Sequence, residues 1–255
     1  MKSNKRTFGI IGNPIDHSFS PQYFTEKFKK EEIFDAEYLR FPLSDISSIR
    51  EWIFSMPTLQ GFNVTHPYKQ AILPKIDIIS PAAAEIGAVN CIRIERNNNT
   101  TTLYGYNTDH IGFTQTLKTL KITQSIQALI LGSGGAAQAI IYSLKQQNIK
   151  HKIVSRNPDK GDFTYNEITS ETLKNYPLII QTTPLGMEPY TNSFPKIPYE
   201  YINHKNILID LIYNPTQTIF LQKGAKNGAK ICNGMPMLIS QAEANWKIWN
   251  NQNLF

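Results

Sequence analysis

Short, mostly apolar runs, most of them ended by glycine, proline or polar turn residues, alternate along this chain with longer segments whose apolar positions recur at helical spacing. The short runs predict strands at 8–12, 36–41, 61–65, 128–131, 152–155, 178–181, 207–211 and 230–232. The longer segments predict helices at 21–30, 46–54, 136–144, 170–175, 218–227 and 237–249, with Ser44 expected to cap the second of them. A short helix starts at Ser80-Pro81 and stops at Gly87, a hairpin pairs 89–96 with 101–106, and the Asn107-Thr108-Asp109 corner opens a helix that runs to Leu120. Between 157 and 169 little or no helix is expected. Strands that alternate with helices imply an open α/β architecture with parallel strands.

The sharpest local signal lies at 127–147, QALILGSGGAAQAIIYSLKQQ, a buried strand, a glycine turn and a helix. Gly132, Ser133, Gly134 and Gly135 leave backbone N–H groups facing outward, and the helix N-terminus adds a favourable partial charge, so the turn suits a phosphate. The spacing is GxGG, and such a cluster can also be a plain strand-to-helix turn. The second strand favours the nucleotide reading, because it ends where dinucleotide folds read the adenosine ribose. An NAD enzyme would place an acidic residue there to accept from the 2′-hydroxyl. This chain offers Ser155, Arg156 and, a turn later, Lys160, cations that suit the 2′-phosphate of NADP.

Residues 12–21, GNPIDHSFSP, form a loop that brings the hydroxyls of Ser18 and Ser20 close to a helix opened by Pro21. Either serine could cap that helix, or both could bind a carboxylate at its end. Ligands of open α/β sheets lie beyond the carboxyl ends of strands, which puts Asn63, Thr65 and Lys69 at a ligand. A lysine after a proline turn is as often a solvated surface residue. Here apolar Ala71, Ile72 and Leu73 follow and would partly desolvate the ammonium. Asp109 at a helix start is a natural cap and also a sensible partner for a lysine in proton transfer.

Length and composition narrow the class. The 255 residues suffice for one large or two modest domains, and 41% hydrophobic with 18% charged residues is ordinary for a soluble protein. No apolar run approaches the ~20 residues of a membrane helix, and the opening MKSNKRTFGIIGNP is not patterned as a signal peptide, so a cytoplasmic location is expected. Cys91 and Cys232 lie inside predicted strands without CxxC spacing, and His17, His66, His110, His151 and His204 are scattered, so no metal site is expected. Asn63-Val64-Thr65 and Asn99-Thr100-Thr101 match a glycosylation acceptor only by accident if no secretory signal accompanies them. The net charge of +6 is spread along the chain and not gathered with aromatics, which argues against nucleic acid and agrees with small anionic ligands. The run 97–101 is expected to be a hairpin turn, and Trp246 and Trp249 to be packing residues.

Several stretches taken together resemble the shikimate dehydrogenase family: GNPIDHSFSP (12–21), NVTHPYK (63–69), GAVN (87–90), GYNTDHIG (105–112), GSGGAA (132–137), SRN (155–157), TTPLGM (182–187), DLIYNPTQT (210–218) and NGMPMLISQA (233–242). They span nearly the whole chain. NVTHPYK with NTD and the two-serine loop is far more specific than the glycine turn. The resemblance implies an α/β protein of two domains with a cleft between them. An open α/β substrate domain would comprise 1–108 with 235–255, and a Rossmann-like, doubly wound NADP domain 109–234. It further implies reversible NADPH-dependent reduction of 3-dehydroshikimate to shikimate, in aromatic amino-acid biosynthesis, by a monomer or homodimer. Ser18 and Ser20 would hold the substrate carboxylate, Thr65, Asn90 and Gln241 its ring hydroxyls, and Tyr213 would lie near substrate and nicotinamide. Lys69 and Asp109 would be the catalytic pair. Gly132, Gly134, Gly135 and Ala136 would face the pyrophosphate, Ser155, Arg156 and Lys160 the adenosine ribose and its phosphate, with Thr182 and Gly234 also on the cofactor side.

The chain departs from the family at Gln138, where arginine is common, at Gln181, where asparagine commonly precedes the threonines, and at Pro236, which interrupts what is often a glycine before Met237. Its crossover after Arg156 is also shortened. These changes touch the cofactor side. Two other readings share the fold: a dehydrogenase that uses NAD or accepts quinate, and a non-catalytic sensor of nucleotide or shikimate-like anions. Ser155 in place of an acidic residue argues against NAD, and the Lys69 and Asp109 pair against a sensor.

Overall fold

The computed structural model describes residues 5–16, 18–97 and 100–252. The chain divides into two compact units, Met1–Thr108 with Ala242–Phe255, and Asp109–Gln241. His17, Asn98 and Asn99 lie outside the described residues, and with them part of the turn expected at 97–101.

The first unit contains β1 (Arg6–Gly12), α1 (Ser20–Lys30), β2 (Ala36–Pro42), α2 (Ile49–Phe54), β3 (Leu59–Val64), α3 (Tyr68–Ala71), β4 (Ile78–Ile79), α4 (Pro81–Ile86), β5 (Cys91–Asn97) and β6 (Thr100–Tyr106). Its sheet has the order β2-β1-β3-β5-β6-β4. β1 pairs in parallel with β2 and β3, and β5 runs antiparallel to both β3 and β6. Local chemistry explains the helix ends. Pro21 sits in the first turn of α1, and Lys27, Lys29 and Lys30 complement the dipole in its last turn. Ser80 caps α4 by accepting from the Ala83 N–H, and Gly87 closes it at φ +70°.

Side chains of the sheet alternate between two cores. Ile11, Phe62, Val64, Ile92, Ile94 and Leu103 join one, while Phe8, Ile10, Tyr38 and Cys91 join another with Phe24, Phe28, Trp246 and Trp249. Phe8 stacks on Trp249 at 4.9 Å and meets Trp246 edge-on at 5.3 Å, so both tryptophans are packing residues. Glu243 fastens the end of the chain to α1 by accepting from Lys27 Nζ at 2.9 Å and from the Tyr23 hydroxyl.

The second unit contains α5 (Asp109–Thr119), β7 (Ala128–Leu131), α6 (Gly135–Gln146), β8 (His151–Val154), α7 (Ser170–Asn175), β9 (Leu178–Gln181), β10 (Ile207–Asp210), α8 (Ile219–Lys226) and β11 (Lys230–Cys232), followed by α9 (Met235–Trp249), whose residues from Ala242 count with the first unit. The sheet is wholly parallel in the order β11-β10-β9-β7-β8. Leu129, Leu131, Ile179 and Leu208 enter one core, and Ala128, Ile130, Leu178, Ile180 and Ile209 the other. That explains uninterrupted apolar strands: the sheet is covered on both faces. It is a doubly wound, Rossmann-like α/β unit.

Two expectations need correction. The helix expected at 46–54 begins only at Ile49. Asp45 accepts from the Ser47 N–H at 3.1 Å, a side-chain turn that takes the preceding residues out of helical geometry, and the N-cap is Ser48, not Ser44. The last helix, expected from 237, starts already at Met235, so Pro236 lies in its first turn, where a missing N–H costs nothing. Between 157 and 169 only two single 3₁₀ turns form, Pro158–Lys160 and Tyr165–Glu167. Among the described residues no helix is long and apolar enough to cross a membrane, and no group of three His, Cys, Asp or Glu is placed to hold a metal ion.

Candidate active site

In the first unit the chain passes from β1 out to β2 and returns on the other side of β1 as β3. An open α/β sheet offers its ligand position beyond the carboxyl ends of strands at such a reversal. The loops after β1 and β3 both lead there, and Gly12 permits their contact: a Cβ on it would lie 2.5 Å from Thr65 Cγ2 and from Ile15 Cγ2. The Asn13 N–H donates to His66 O at 3.1 Å and the Thr65 N–H to Ile11 O at 3.0 Å. Thr65 and Lys69 are half-buried. The Lys69 carbonyl accepts from the Val89 N–H at 2.8 Å, which ties this turn to the residue before Asn90.

Neither serine of the 12–21 loop caps α1, whose N-cap is Phe19 without a side-chain hydrogen bond. Ser20 is already the first helical residue; it is buried, and its hydroxyl bonds to that of Tyr38. Ser18 is half-buried and held by its backbone, its N–H on Ile15 O at 3.0 Å and its C=O accepting from Arg40 Nη2 at 2.9 Å.

Asn63 is buried, its Oδ1 accepts from the Tyr38 hydroxyl at 2.8 Å, and its Nδ2 donates to Asn90 O at 3.0 Å. Asn90 is buried as well. Its Oδ1 accepts from the Thr108 N–H at 2.6 Å, while its Nδ2 donates to Thr108 Oγ1 at 3.1 Å. The Thr108 hydroxyl donates onward to Asn245 Oδ1 at 2.6 Å. A continuous buried chain of polar groups therefore runs from Ser20 through Tyr38, Asn63, Asn90 and Thr108 to Asn245. Tyr38, Thr108 and Asn245 are the members that local reading missed, because no local pattern marks them. Burial holds the Tyr38 phenol well above its usual pKa, so it is a neutral donor in this chain.

The second unit reverses between β7 and β9, and the glycine turn follows β7 at that point. Gly132 adopts φ +117°, and a Cβ there would lie 2.6 Å from Thr182 Oγ1 and 2.8 Å from Thr183 Cγ2, so only glycine lets the two loops meet. Thr182 Oγ1 donates to Leu131 O at 2.9 Å, and the hydroxyls of Ser133 and Ser155 lie 3.0 Å apart. The structure thus gathers Gly132, Gly134, Gly135, Ala136, Ser155 and Thr182 at one end of the parallel sheet.

Arg156 and Lys160 follow β8 and are exposed. Burial raises the Tyr165 phenol, and the nearby Arg156 charge opposes that shift. Tyr213 and Gly234 form a second group, since the Gly234 N–H donates to Ile212 O at 3.0 Å. Asp109 opens α5, and Gln241 is buried on α9. His110 is held below its usual pKa by burial, against the pull of the Asp109 charge.

These residues fit a dinucleotide. Gly134 and Gly135 are exposed, a Cβ on either would meet nothing within 4 Å, and α6 starts with no side-chain cap on its N–H groups. A pyrophosphate has both space and donors there.

A family model described as the shikimate dehydrogenase substrate binding domain matches residues 10–92. The shikimate dehydrogenase (NADP(+)) of Methanococcus maripaludis strain C7 is 36% identical over 268 residues, 98% of this chain and 92% of the relative. The chain belongs to the shikimate dehydrogenase family. Two solved structures agree. Shikimate dehydrogenase of Aquifex aeolicus has a TM-score of 0.84 at 30% identity, covering 100% of this chain and 96% of that one. Shikimate 5-dehydrogenase of Thermus thermophilus, in complex with NADP(H) and shikimate, has a TM-score of 0.84 at 27% identity, covering 96% and 93%.

Within the shikimate dehydrogenase family the Gln181 departure has a structural role in this chain. The side chain is fully buried; Oε1 accepts from the Thr183 N–H at 3.0 Å and its hydroxyl at 2.8 Å, while Nε2 donates to Leu185 O at 2.9 Å. It templates the TTP turn that faces Gly132.

Proposed function

We propose that this chain is a shikimate dehydrogenase that reversibly reduces 3-dehydroshikimate to shikimate with NADPH, a step of aromatic amino-acid biosynthesis. The observation that carries the reading is the near-full-length relationship to NADP-linked shikimate dehydrogenases in a chain whose parallel sheet presents an open glycine turn at its reversal. Residues 1–108 with 235–255 serve as the substrate domain and 109–234 as the NADP domain. The enzyme works in the cytoplasm as a monomer or homodimer.

NADPH, when bound, supplies the hydride. Gly132, Gly134, Gly135 and Ala136 hold its pyrophosphate through backbone N–H groups and the α6 dipole. Arg156 and Lys160 read the 2′-phosphate next to Ser155, while Thr182 and Gly234 line the same cofactor site. Ser18 and Ser20 bind the substrate carboxylate, Thr65, Asn90 and Gln241 its ring hydroxyls, and Tyr213 borders the reacting end. As the ketone is reduced, negative charge develops on its oxygen, and the Lys69 ammonium stabilises that charge. Asp109 binds a neighbouring hydroxyl and orients Lys69, and the two residues carry the proton transfer jointly.

Initial rates of shikimate and quinate oxidation, each with NADP and with NAD, test the reading at the absorbance band of the reduced nicotinamide. Fast turnover with shikimate and NADP is expected. Equal rates with NAD would overturn the cofactor preference, and no turnover with any pair would overturn the enzymatic reading. The quinate and sensor alternatives are not favoured by the relatives, which are named NADP-linked shikimate dehydrogenases.

A further inference from the structure

Asp210, the last residue of β10, is a fully buried carboxylate that takes no part in the chemistry above. Its Oδ1 accepts from the Ile212 N–H at 3.0 Å, and its Oδ2 from the Thr218 hydroxyl at 2.5 Å. Thr218 is itself buried and caps α8 by accepting from the Leu221 N–H. One carboxylate therefore grips both ends of the segment that leaves β10 and enters α8, and Tyr213 lies within that segment. Backbone carbonyls tie the segment further, Ile212 O to the Gly234 N–H at 3.0 Å and Thr216 O to Asn233 Nδ2 at 3.0 Å.

Among the described residues no cation pairs with this carboxylate, and burying it costs free energy that an apolar or amide side chain would not. Desolvation raises its pKa to about 6, despite the two hydrogen bonds that pull it down. This charge also acts on Tyr199, in the single turn after Pro198, whose phenol is raised chiefly by burial and further by the Asp210 charge. Lys223 of α8 lies over the Tyr199 ring at 5.3 Å. A charge retained at such a cost has its gain in geometry, because only the ionised carboxylate offers full acceptor capacity to both donors.

We propose that Asp210 is a positioning residue for Tyr213: by holding the Ile212 N–H and the Thr218 hydroxyl at once, it sets the loop that presents Tyr213 to the reacting end of the site. The role of Tyr213 rests on the function proposed above; the loop restraint does not.

The test compares wild type with Asp210→Asn, Thr218→Val and Thr218→Ser in two measurements. Hydrogen exchange of the peptide covering 211–218 is expected to be at least tenfold faster in Asp210→Asn and Thr218→Val, near wild type in Thr218→Ser, and unchanged at 178–181 in all. Protection of 211–218 equal to wild type in Asp210→Asn overturns the proposal whatever the activity. In kinetics with shikimate and NADP, kcat of wild type is expected to fall on the acid side with an apparent pKa near 6. The Asn variant at pH 7.5 is expected to sit about tenfold below wild type, near the value to which wild type falls at pH 5, and to lack that limb. Wild-type kcat in the Asn variant, or an acid limb retained in it, also overturns the proposal. A wild-type enzyme without shikimate oxidation refutes the proposed function instead, and the exchange measurement still decides the loop.

Discussion

Asn90 and Thr108 hold each other in both directions: the Thr108 N–H donates to Asn90 Oδ1 at 2.6 Å and Asn90 Nδ2 to Thr108 Oγ1 at 3.1 Å, both residues being buried. The pair closes the first unit just before Asp109 and couples it to Asn63 and Tyr38. Asn90→Ala would leave a buried N–H and a hydroxyl short of a partner. The expected cost is about 2–4 kcal/mol from the desolvation of those groups. Urea unfolding checks the stability loss, and a rise in KM for shikimate beyond any fall in kcat checks the substrate role.

Lys69 is expected to act on turnover. Its backbone is anchored by the Val89 N–H, so removing the side chain leaves the turn in place. Loss of a group that stabilises developing oxyanion charge costs about 10²–10³-fold in kcat. Steady-state kinetics of Lys69→Ala should show that loss with KM changed far less. A large loss of shikimate binding with unchanged turnover would refute the assignment.

Strands 128–131, 178–181 and 230–232 and helix 170–175 were legible to the residue. In the first two, three or four apolar residues in a row suit a sheet covered on both faces, and in the helix Thr169 provides a cap that the local sequence announces. The helix at 46–54 read too long because its apolar spacing continues through an Asp45 side-chain turn that competes with the backbone. Near the site, the glycine turn could be read locally, since it is built by neighbours in the chain, whereas the two-serine loop read as a helix cap and forms none. The relay through Tyr38, Asn63, Thr108 and Asn245 could not, because its partners are 18 to 137 residues apart and share no pattern.

Arg156 is exposed at the end of β8, next to the strand that carries the glycine turn. A charge-assisted bond from it to a 2′-phosphate is expected to contribute about 1.5–2 kcal/mol. Arg156→Ala should therefore raise KM for NADP by roughly tenfold to thirtyfold and leave KM for NAD almost unchanged. Equal effects on both cofactors would show that the guanidinium does not read the phosphate.

Asp210 also leaves a signature in stability. Its folded pKa of about 6 stands well above the ordinary value of 3.8, so the folded state binds this proton more tightly than the unfolded chain. The stabilising contribution is present in full below the unfolded pKa and is lost as pH rises through about 6. A difference of that size corresponds to about 3 kcal/mol. Asp210→Asn removes the titration, so the variant's stability relative to wild type should improve by about that amount between pH 4 and pH 7.5, in parallel urea titrations. Activity is expected to move the other way, because the amide cannot accept from both donors. A side chain that merely supported the fold would lose stability and turnover together; opposite signs would identify a buried charge whose gain lies in placing the loop.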